Sequence, residues 1–210
     1  MSSKAWNDYM ELVGKRPGEF RQNPALEIIF DEDIIREFEE RSGRTIGVIY
    51  ASRFNILVVD LVRDPAGNLF PFERIIPAST GCSVVTIPVL DGKFVLLEQF
   101  RHAMRSVQYA FPRGFGEDGL GAAENAAKEL SEELGAEVIE TIPLGNIVAN
   151  SGLSGDRTRA VLCRISRADA AVGYEEIQGM VFLTPEEMRS WISEGKIDDG
   201  YTLAAWSLMS

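Results

Sequence analysis

The sequence has few cysteines, no disulfide pattern and no long apolar run, and each shortage excludes a class of protein. Its two cysteines, Cys82 and Cys163, are far apart and form no Cys-x-x-Cys pair, so neither a structural zinc site nor a disulfide framework is expected. No apolar run reaches the roughly 18 residues of a membrane-spanning helix. The first residues also lack the apolar segment of a signal peptide. We therefore expect a cytoplasmic protein without a membrane span.

Basic residues are scarce as well. The 210 residues include 32 acids and 21 bases, which gives a net charge of -11. Proteins that bind nucleic acid usually neutralise its phosphates with an excess of lysine and arginine, so we do not expect nucleic acid as a partner. An anionic small molecule would have to be held here by metal ions or by local arginines.

The order of the periodic segments predicts a mixed α/β (α+β) protein. Residues 1–45 contain two runs with apolar residues at helical spacing and are interpreted as an N-terminal helical extension. Residues 46–80 have the strand and turn pattern of a β-hairpin region, and 81–210 are interpreted as the main domain. Strands and helices interleave there without regular βαβ repeats, which favours a mixed sheet between helices over a Rossmann fold.

A cluster of three carboxylates is the most informative feature that is present. Glu129, Glu132 and Glu133 stand at helical spacings i, i+3 and i+4, so one turn of helix presents all three on one side. Like charges at this spacing repel by a few tenths of a kcal/mol per pair, roughly, unless a cation sits among them. Carboxylate oxygens suit Mg²⁺ or Mn²⁺. The alternative is an ordinary solvated helix face.

The acidic helix and the glycine before it resemble the Nudix box. That motif runs Gly, five residues, Glu, seven residues, then Arg-Glu-apolar-x-Glu-Glu-x-Gly, and Gly114 stands at the family's distance from Lys128. Weaker matches to the ADP-ribose pyrophosphatases of this family occur in the right order. They are Glu98–Arg101, Phe111–Gly114, Ser151–Ser154 and Glu194–Thr202.

The resemblance implies a fold and an activity. The fold is a Nudix-type α/β/α sandwich with a mixed sheet, preceded here by the N-terminal extension. The activity is Mg²⁺- or Mn²⁺-dependent hydrolysis of the pyrophosphate bond of a nucleoside diphosphate derivative, ADP-ribose or another nucleotide sugar. A homodimer formed through residues 46–80 is also implied. Two alternatives stay open: another nucleotide substrate (a triphosphate, dinucleoside polyphosphate or coenzyme) and a non-catalytic module that senses a nucleotide.

The resemblance also implies the metal ligands. Glu129 and Glu133 would bind the metal, Glu132 would be a further ligand and a catalytic group, and the carbonyl of Arg113 would complete the shell. The supporting chemistry is that metal ions neutralise phosphate oxygens and activate water.

Substrate binding and proton transfer are assigned to other residues. Arg101, at a predicted strand end, is the expected phosphate clamp because a guanidinium fork matches paired phosphate oxygens. The Arg113 side chain is a second candidate. Glu175 and Glu176, on a loop between two strands, are candidates for the general base that this family usually needs. A plain acidic loop is the alternative for these two.

Three positions depart from the family pattern. Lys128 replaces the box arginine and Leu120 replaces the first box glutamate. In the family these two residues orient the loop and helix through an ion pair, so we expect that pair to be absent, with Glu124 as the candidate substitute partner of Lys128. Ala110, where many ADP-ribose pyrophosphatases carry glutamate, bears on the substrate instead.

Overall fold

A computed structural model describes residues 3–169 and 172–209. The chain forms two compact units, Met1–Ala78 with Asn150–Asp156 and Ser79–Ala149 with Arg157–Ser210. The segment 150–156 belongs to the first unit because Ile75 N–H donates to the Leu153 carbonyl at 2.7 Å. The division into 1–45, 46–80 and 81–210 stays a prediction. In the described ranges, no helix has the length and apolarity to cross a membrane.

The first unit is built on a four-stranded antiparallel sheet. Its long central strand β3 pairs along its whole length with β4 and on its other side with β2 and β1. Two helices and a 3-10 turn (Pro17–Phe20) complete it. The bounds are α1 Lys4–Lys15, β1 Glu27–Ile28, α2 Glu32–Ser42, β2 Gly47–Ala51, β3 Asn55–Arg63 and β4 Leu69–Pro77.

A buried polar contact lies in the core of this unit. Tyr9 is fully buried among apolar side chains and donates its hydroxyl to Asp60. Arg74 donates to the other oxygen of Asp60, with Nε 2.5 Å from Oδ2. The Arg74 guanidinium also lies 4.7 Å from the ring centroid of Phe20. Every charged group of this contact therefore has a partner of the opposite charge or a hydrogen-bond donor.

The second unit is built on a seven-stranded mixed sheet in the order β11-β6-β5-β10-β9, with β7 beside β6 and β8 beside β5. β5 and β10 run parallel and the other pairs are antiparallel. The bounds are β5 Val84–Leu90, β6 Lys93–Arg101, β7 Ser106–Ala110, β8 Arg113–Gly114, α3 Ala122–Leu134, β9 Val138–Ile147, β10 Thr158–Ile165, β11 Ile177–Leu183, α4 Pro185–Ser193 and α5 Gly200–Ser207.

Helices cover both faces of this sheet. Side chains alternate along a strand, so Val95 and Leu97 of β6 pack with Leu130 of α3 while Leu96 packs on the opposite face with Met188 of α4. Both clusters are closed to solvent. The predicted α/β/α sandwich with a mixed sheet is confirmed.

Glycines lie at both ends of the helix that carries the acids. It begins after Gly121 and ends at Gly135, whose φ of 51° lies in the left-handed region that glycine adopts at little cost. Gly135 N–H caps the Leu130 carbonyl. The apolar stripe of α3, which includes Ala126, Leu130 and Leu134, holds the helix against the sheet and so fixes where its acids lie.

Candidate metal and phosphate site

Strand β6 carries two polar residues to the face of the sheet that α3 covers. Val95 and Leu97 lie in the core beneath α3, and the alternation continues with Gln99 and Arg101 on the same face. Gln99 is buried and Arg101 is half-buried. No residue within 3–169 or 172–209 accepts a hydrogen bond from the buried Nε of Arg101.

The three carboxylates of α3 are not equivalent. Glu133 is buried and Glu129 half-buried, whereas Glu132 is exposed and pairs with Lys128, whose Nζ lies 3.0 Å from its Oε2. The boundary between core and solvent therefore separates Glu132 from the other two. Among the described residues, no group of three or more His, Cys, Asp or Glu side chains is placed to hold a metal ion. The role of Glu132 as a ligand and catalytic group stays a prediction.

Gly114 lies directly against the carboxylate of Glu129. A β-carbon at position 114 would be 1.9 Å from the carboxyl carbon of Glu129, a distance that no real side chain tolerates. The glycine is required by this close approach rather than by its φ angle. The absence of a side chain at Gly114 therefore lets the α3 carboxylate reach the backbone that follows the Arg113 carbonyl.

The register of β8 leaves the Arg113 carbonyl available. Thr86 N–H donates to the Pro112 carbonyl at 2.8 Å, and Arg113 is the next residue along β8, opposite Val85. In an antiparallel pair, hydrogen-bonded and non-hydrogen-bonded residues alternate, so the Arg113 carbonyl points away from β5. This arrangement agrees with the ligand role predicted for that carbonyl.

The two inner carboxylates are held in unfavourable surroundings. Burial, followed by the charges of Glu129 and Glu175, raises the pKa of Glu133 to about 8, although Arg101 and Arg113 oppose the rise. Burial is also the main cause that raises the pKa of Glu129 to about 7. Within the described part of the chain, Oε2 of Glu133 is buried and has no hydrogen-bond partner. A proton or a cation would relieve this repulsion.

Two guanidinium groups form the positive side of the site. Arg113 pairs with Asp199, with Nη1 3.3 Å from Oδ1, and its guanidinium lies 4.9 Å from the ring centroid of Tyr201. Burial, and then the charge of Arg113, lowers the pKa of Arg101. Two cations close enough to repel each other suit an anion with several oxygens.

Asp199 is a site residue that the sequence analysis missed. Its Oδ2 accepts the N–H and the hydroxyl of Thr202 at 2.9 and 2.8 Å, which caps α5, while Oδ1 holds Arg113. The hydroxyl oxygen of Thr202 also accepts the Phe111 N–H at 2.9 Å. The Asp-x-x-Thr spacing was the available signal, because it is a helix N-cap pattern as well as a weak family match.

The predicted general-base loop is a tight turn beside these groups. Tyr174–Glu176 form a 3-10 turn in which Glu175 and Glu176 have φ angles of 43° and 62°. Gln99 donates from Nε2 to the Glu175 carbonyl at 2.5 Å. The charge of Glu175 also contributes to the raised pKa values of Glu129 and Glu133.

Lys128 has a different partner from the one predicted. Glu124 accepts the Gly121 N–H at 2.9 Å and so caps α3, which leaves the predicted Glu124–Lys128 pair unformed. Lys128 Nζ instead lies 2.8 Å from Oε1 of Glu117, in the loop between Gly114 and α3. The expectation that the loop–helix ion pair is absent was therefore wrong. The acidic partner of Lys128 is Glu117, three positions before Leu120.

Two more polar residues that the sequence analysis missed hold the box loop. Asn125 is buried in α3 and donates from Nδ2 to the carbonyls of Cys82 and Phe115, both at 3.0 Å. Asp118 accepts the N–H and hydroxyl of Thr80 at 3.0 and 2.7 Å. An asparagine between the alanines of an otherwise apolar helix face was the signal for the first of these contacts.

The amino-acid sequence is similar to those of two characterised proteins. No family model matches the chain. It is 28% identical over 171 residues to a methanol dehydrogenase activator of Bacillus methanolicus, covering 80% of this chain and 91% of the relative. It is 36% identical over 118 residues to an ADP-sugar pyrophosphatase of Mus musculus, covering 51% of this chain and about half, 53%, of the relative.

The fold also matches a solved structure. An ADP compounds hydrolase superposes with a TM-score of 0.69 at 17% identity, covering 79% of this chain and 89% of that one. The fold is therefore that of a Nudix hydrolase, and the resemblance read from the box is confirmed. By sequence, the chain is also similar to an ADP-sugar pyrophosphatase over about half of that protein's length.

Proposed function

We propose that this protein is a Mg²⁺-dependent hydrolase that cleaves the pyrophosphate bond of an ADP-linked compound, ADP-ribose or another nucleotide sugar. The observation that carries the proposal is the grouping of a buried carboxylate, Glu133, and a half-buried one, Glu129, with two guanidinium groups, Arg101 and Arg113, whose charges act on Glu133. A cation would offset the repulsion between Glu129 and Glu133, and an anion would offset the repulsion between Arg101 and Arg113. A diphosphate bound together with a divalent metal satisfies both.

The side chains present fit Mg²⁺ or Mn²⁺. Glu133 has a buried oxygen with no hydrogen-bond partner among the described residues, and Glu129 lies against Gly114 beside an outward-pointing carbonyl. These are hard oxygen donors of the kind that both ions prefer. When bound, the metal would neutralise phosphate oxygens and activate water.

The guanidinium pair would hold the diphosphate. Arg101 has an unused donor at Nε within the described ranges, and Arg113 is kept in place by Asp199 and Tyr201. A planar fork of donors fixes the orientation of a phosphate as well as its charge. The ADP part of the substrate is supported by the relatives named for ADP-sugars and ADP compounds.

Glu175 would take the proton from the attacking water. It is preferred over Glu176 because its charge, and not that of Glu176, contributes to the raised pKa values of Glu129 and Glu133, which supports a carboxylate on their side of the turn. The exposed Glu132 would join the metal shell only by releasing Lys128, and Glu117 could then hold that lysine alone.

Turnover with a defined panel tests this function. The protein is incubated with Mg²⁺ and ADP-ribose, ADP-sugars, nucleoside triphosphates or dinucleoside polyphosphates, and AMP and sugar phosphate are separated by chromatography. We expect AMP and a sugar phosphate from the ADP-linked compounds. Glu133→Gln should lose more than about 100-fold in kcat, because loss of even an outer-shell partner of a metal ligand costs about 10- to 100-fold. Glu37→Gln, which removes an exposed acid in α2, is the matched control.

A nucleotide-sensing module is the second candidate. The relative that favours it is the methanol dehydrogenase activator, which matches along 91% of its own length. Saturable binding of a nucleotide sugar without turnover of any panel member would replace the hydrolase proposal by this one. Turnover of triphosphates or dinucleoside polyphosphates alone would keep the hydrolase and change its substrate.

We also propose that the protein is a cytoplasmic homodimer formed through residues 46–80. Strand β2 and the turn after it expose Ile49, Tyr50 and Phe54, and Tyr50 is 63% exposed. Large apolar side chains close together on a surface are typical of interfaces. Sedimentation equilibrium of the wild type should give a dimer and Tyr50→Lys a monomer, and a monomeric wild type would contradict the proposal. The free thiols of Cys82 and Cys163 are compatible with a reducing compartment.

A further inference from the structure

We propose that Gln99 is a positioning residue for the general base Glu175, an inference that rests on the proposed hydrolase function. Gln99 is only 2% exposed and donates from Nε2 to the Glu175 carbonyl at 2.5 Å. The hydrogen bond is made to the main chain of the turn. Gln99 therefore sets where the backbone of Glu175 lies, and through it where the carboxylate can reach.

The turn that carries Glu175 needs an external contact. Glu175 and Glu176 are consecutive residues with left-handed φ angles of 43° and 62°, which side chains other than glycine rarely adopt. Within the turn, Gly173 N–H donates to the Ile177 carbonyl at 2.9 Å and closes the loop. Strained backbone of this kind persists at functional sites when the surrounding structure holds it. The Gln99 side chain provides such a hold from the neighbouring strand.

The strand register places Gln99 at the point where the turn leaves the sheet. Ile177 lies opposite Gln99, and Gly179 lies opposite Glu98, so Gln178 is an extra, bulged residue. Bulges next to active sites change the direction of a strand and re-aim its side chains. The pairing of β11 with β6 is irregular at this bulge. The side-chain hydrogen bond from Gln99 to the Glu175 carbonyl therefore holds the turn where regular strand pairing does not.

The chemistry of Gln99 is unusual for its location. It lies on the α3 face of β6 between Leu97, which belongs to the core, and Arg101, which faces the site. A buried amide is unfavourable unless its groups are paired, and a leucine there would avoid that cost. No described residue donates a hydrogen bond to its Oε1. Core packing therefore does not explain the amide, whereas its hydrogen bond to the Glu175 turn does.

Kinetics of Gln99→Leu test the proposal once wild-type turnover is established. We expect kcat for the ADP-linked substrate to fall about 10- to 100-fold, because small misplacements of a catalytic group can cost about 100-fold. KM and the Mn²⁺ dissociation constant should change less than about twofold, since Gln99 touches neither ligand set directly. Gln99→Met, which also lacks the donor, gives the same test if the leucine variant fails to fold. Gln178→Leu, in the exposed bulge, is the matched control.

A double variant separates positioning from a structural role. If Gln99 acts through Glu175, Gln99→Leu should cost almost nothing further in a Glu175→Gln background. Additive losses in that background, or an unchanged kcat in the single variant, would overturn the proposal.

Hydrogen exchange provides a readout that needs no activity. Amides of residues 172–177 should exchange faster in Gln99→Leu than in the wild type, with those of β10 unchanged. If the wild type hydrolyses no panel member, the proposed function fails by itself, and faster exchange would still show that Gln99 holds the turn. Unchanged exchange would contradict the positioning role whatever the activity.

Discussion

Asp60 in the first unit and Glu133 in the second are equally buried, each 2% exposed, yet their surroundings are opposite. Asp60 accepts the Tyr9 hydroxyl and the Arg74 guanidinium. The charges of Glu129 and Glu175 act on Glu133 more strongly than those of Arg101 and Arg113, and one of its oxygens has no hydrogen-bond partner in the described ranges. A buried acid whose charge is met serves the fold, whereas one surrounded by like charge is a candidate for function.

The groups around each acid respond accordingly. Burial and the adjacent Asp60 charge raise the pKa of Tyr9, so that its hydroxyl remains a donor. Burial and like charge raise the pKa of Glu133 to about 8, so that this carboxyl group gains or loses its proton near neutral pH. At equal burial, the two acids therefore differ in whether hydrogen-bond donors meet their oxygens.

Removal of each acid should have opposite consequences for stability. Asp60→Asn leaves the half-buried Arg74 without its counter-charge and should lower the free energy of unfolding by about 3 kcal/mol. Glu133→Gln removes a repelled charge and should leave the metal-free protein at pH 8 as stable as the wild type or more so. Urea denaturation followed by circular dichroism measures both. Equal destabilisation by the two substitutions would remove the distinction between the acids.

The pH dependence of stability should sharpen the distinction. A carboxyl group with a raised folded-state pKa contributes stability below its ordinary pKa and loses it as pH rises through the folded value. For Glu129 and Glu133 that loss extends from about pH 4.5 to values of about 7 and 8. The Tm of metal-free protein should therefore fall by roughly several degrees across this window. Glu133→Gln or added Mn²⁺ should flatten the slope, and Asp60→Asn should not.

Asp199 has a structural contact and a contact in the candidate site, because it caps α5 through Thr202 and pairs with the guanidinium of Arg113. Asp199→Asn keeps an oxygen for Thr202 but loses the charge that pairs with Arg113. We expect KM for the ADP-linked substrate to rise about tenfold, the equivalent of a charged hydrogen bond of ~1.5 kcal/mol, with kcat within about threefold. Steady-state kinetics checks this split. A fall in kcat at constant KM would assign Asp199 to the chemical step instead.

The smallest effect is expected at the exposed pair of Lys128 and Glu117. Their side chains are 36% and 52% exposed, and such pairs contribute about 0–1 kcal/mol. A double-mutant cycle with Lys128→Met and Glu117→Gln should give a coupling energy in that range, reduced further by salt. Coupling above about 2 kcal/mol would show that this pair is needed for folding of the loop.

Local patterns predicted much of the fold and part of the site. Helical spacing and the glycine after it gave the bounds of α3, and strand alternation predicted that Arg101 ends a strand of the sheet. The same spacing could not separate Glu132 from Glu133, because the position of the core relative to the helix depends on the packed sheet. Helix rules favoured Glu124 as the partner of Lys128, but that side chain is used by the cap.

Contacts between distant residues were beyond the reach of local patterns. Asp60 meets Tyr9 across 51 positions of the chain, and Gln99 meets the Glu175 carbonyl across 76. The sequence separation of neither pair predicts the contact. The packing of α1 on the first sheet creates the one, and the pairing of β6 with β11 creates the other.

Because Gly114 has no side chain, the Glu129 carboxylate can lie directly against the backbone of β8. Adding one methyl group there would require the Glu129 carboxylate to retreat by about 1.5 Å, from 1.9 Å to the 3.4 Å of an ordinary contact. Gly114→Ala would thus move the Glu129 carboxylate, or α3 with it, away from the backbone of β8 without removing any charged side chain. If the proposed metal is bound between Glu129 and the Arg113 carbonyl, a wider gap should favour cations larger than Mg²⁺, so the missing β-carbon of Gly114 would help to set the size of the ion.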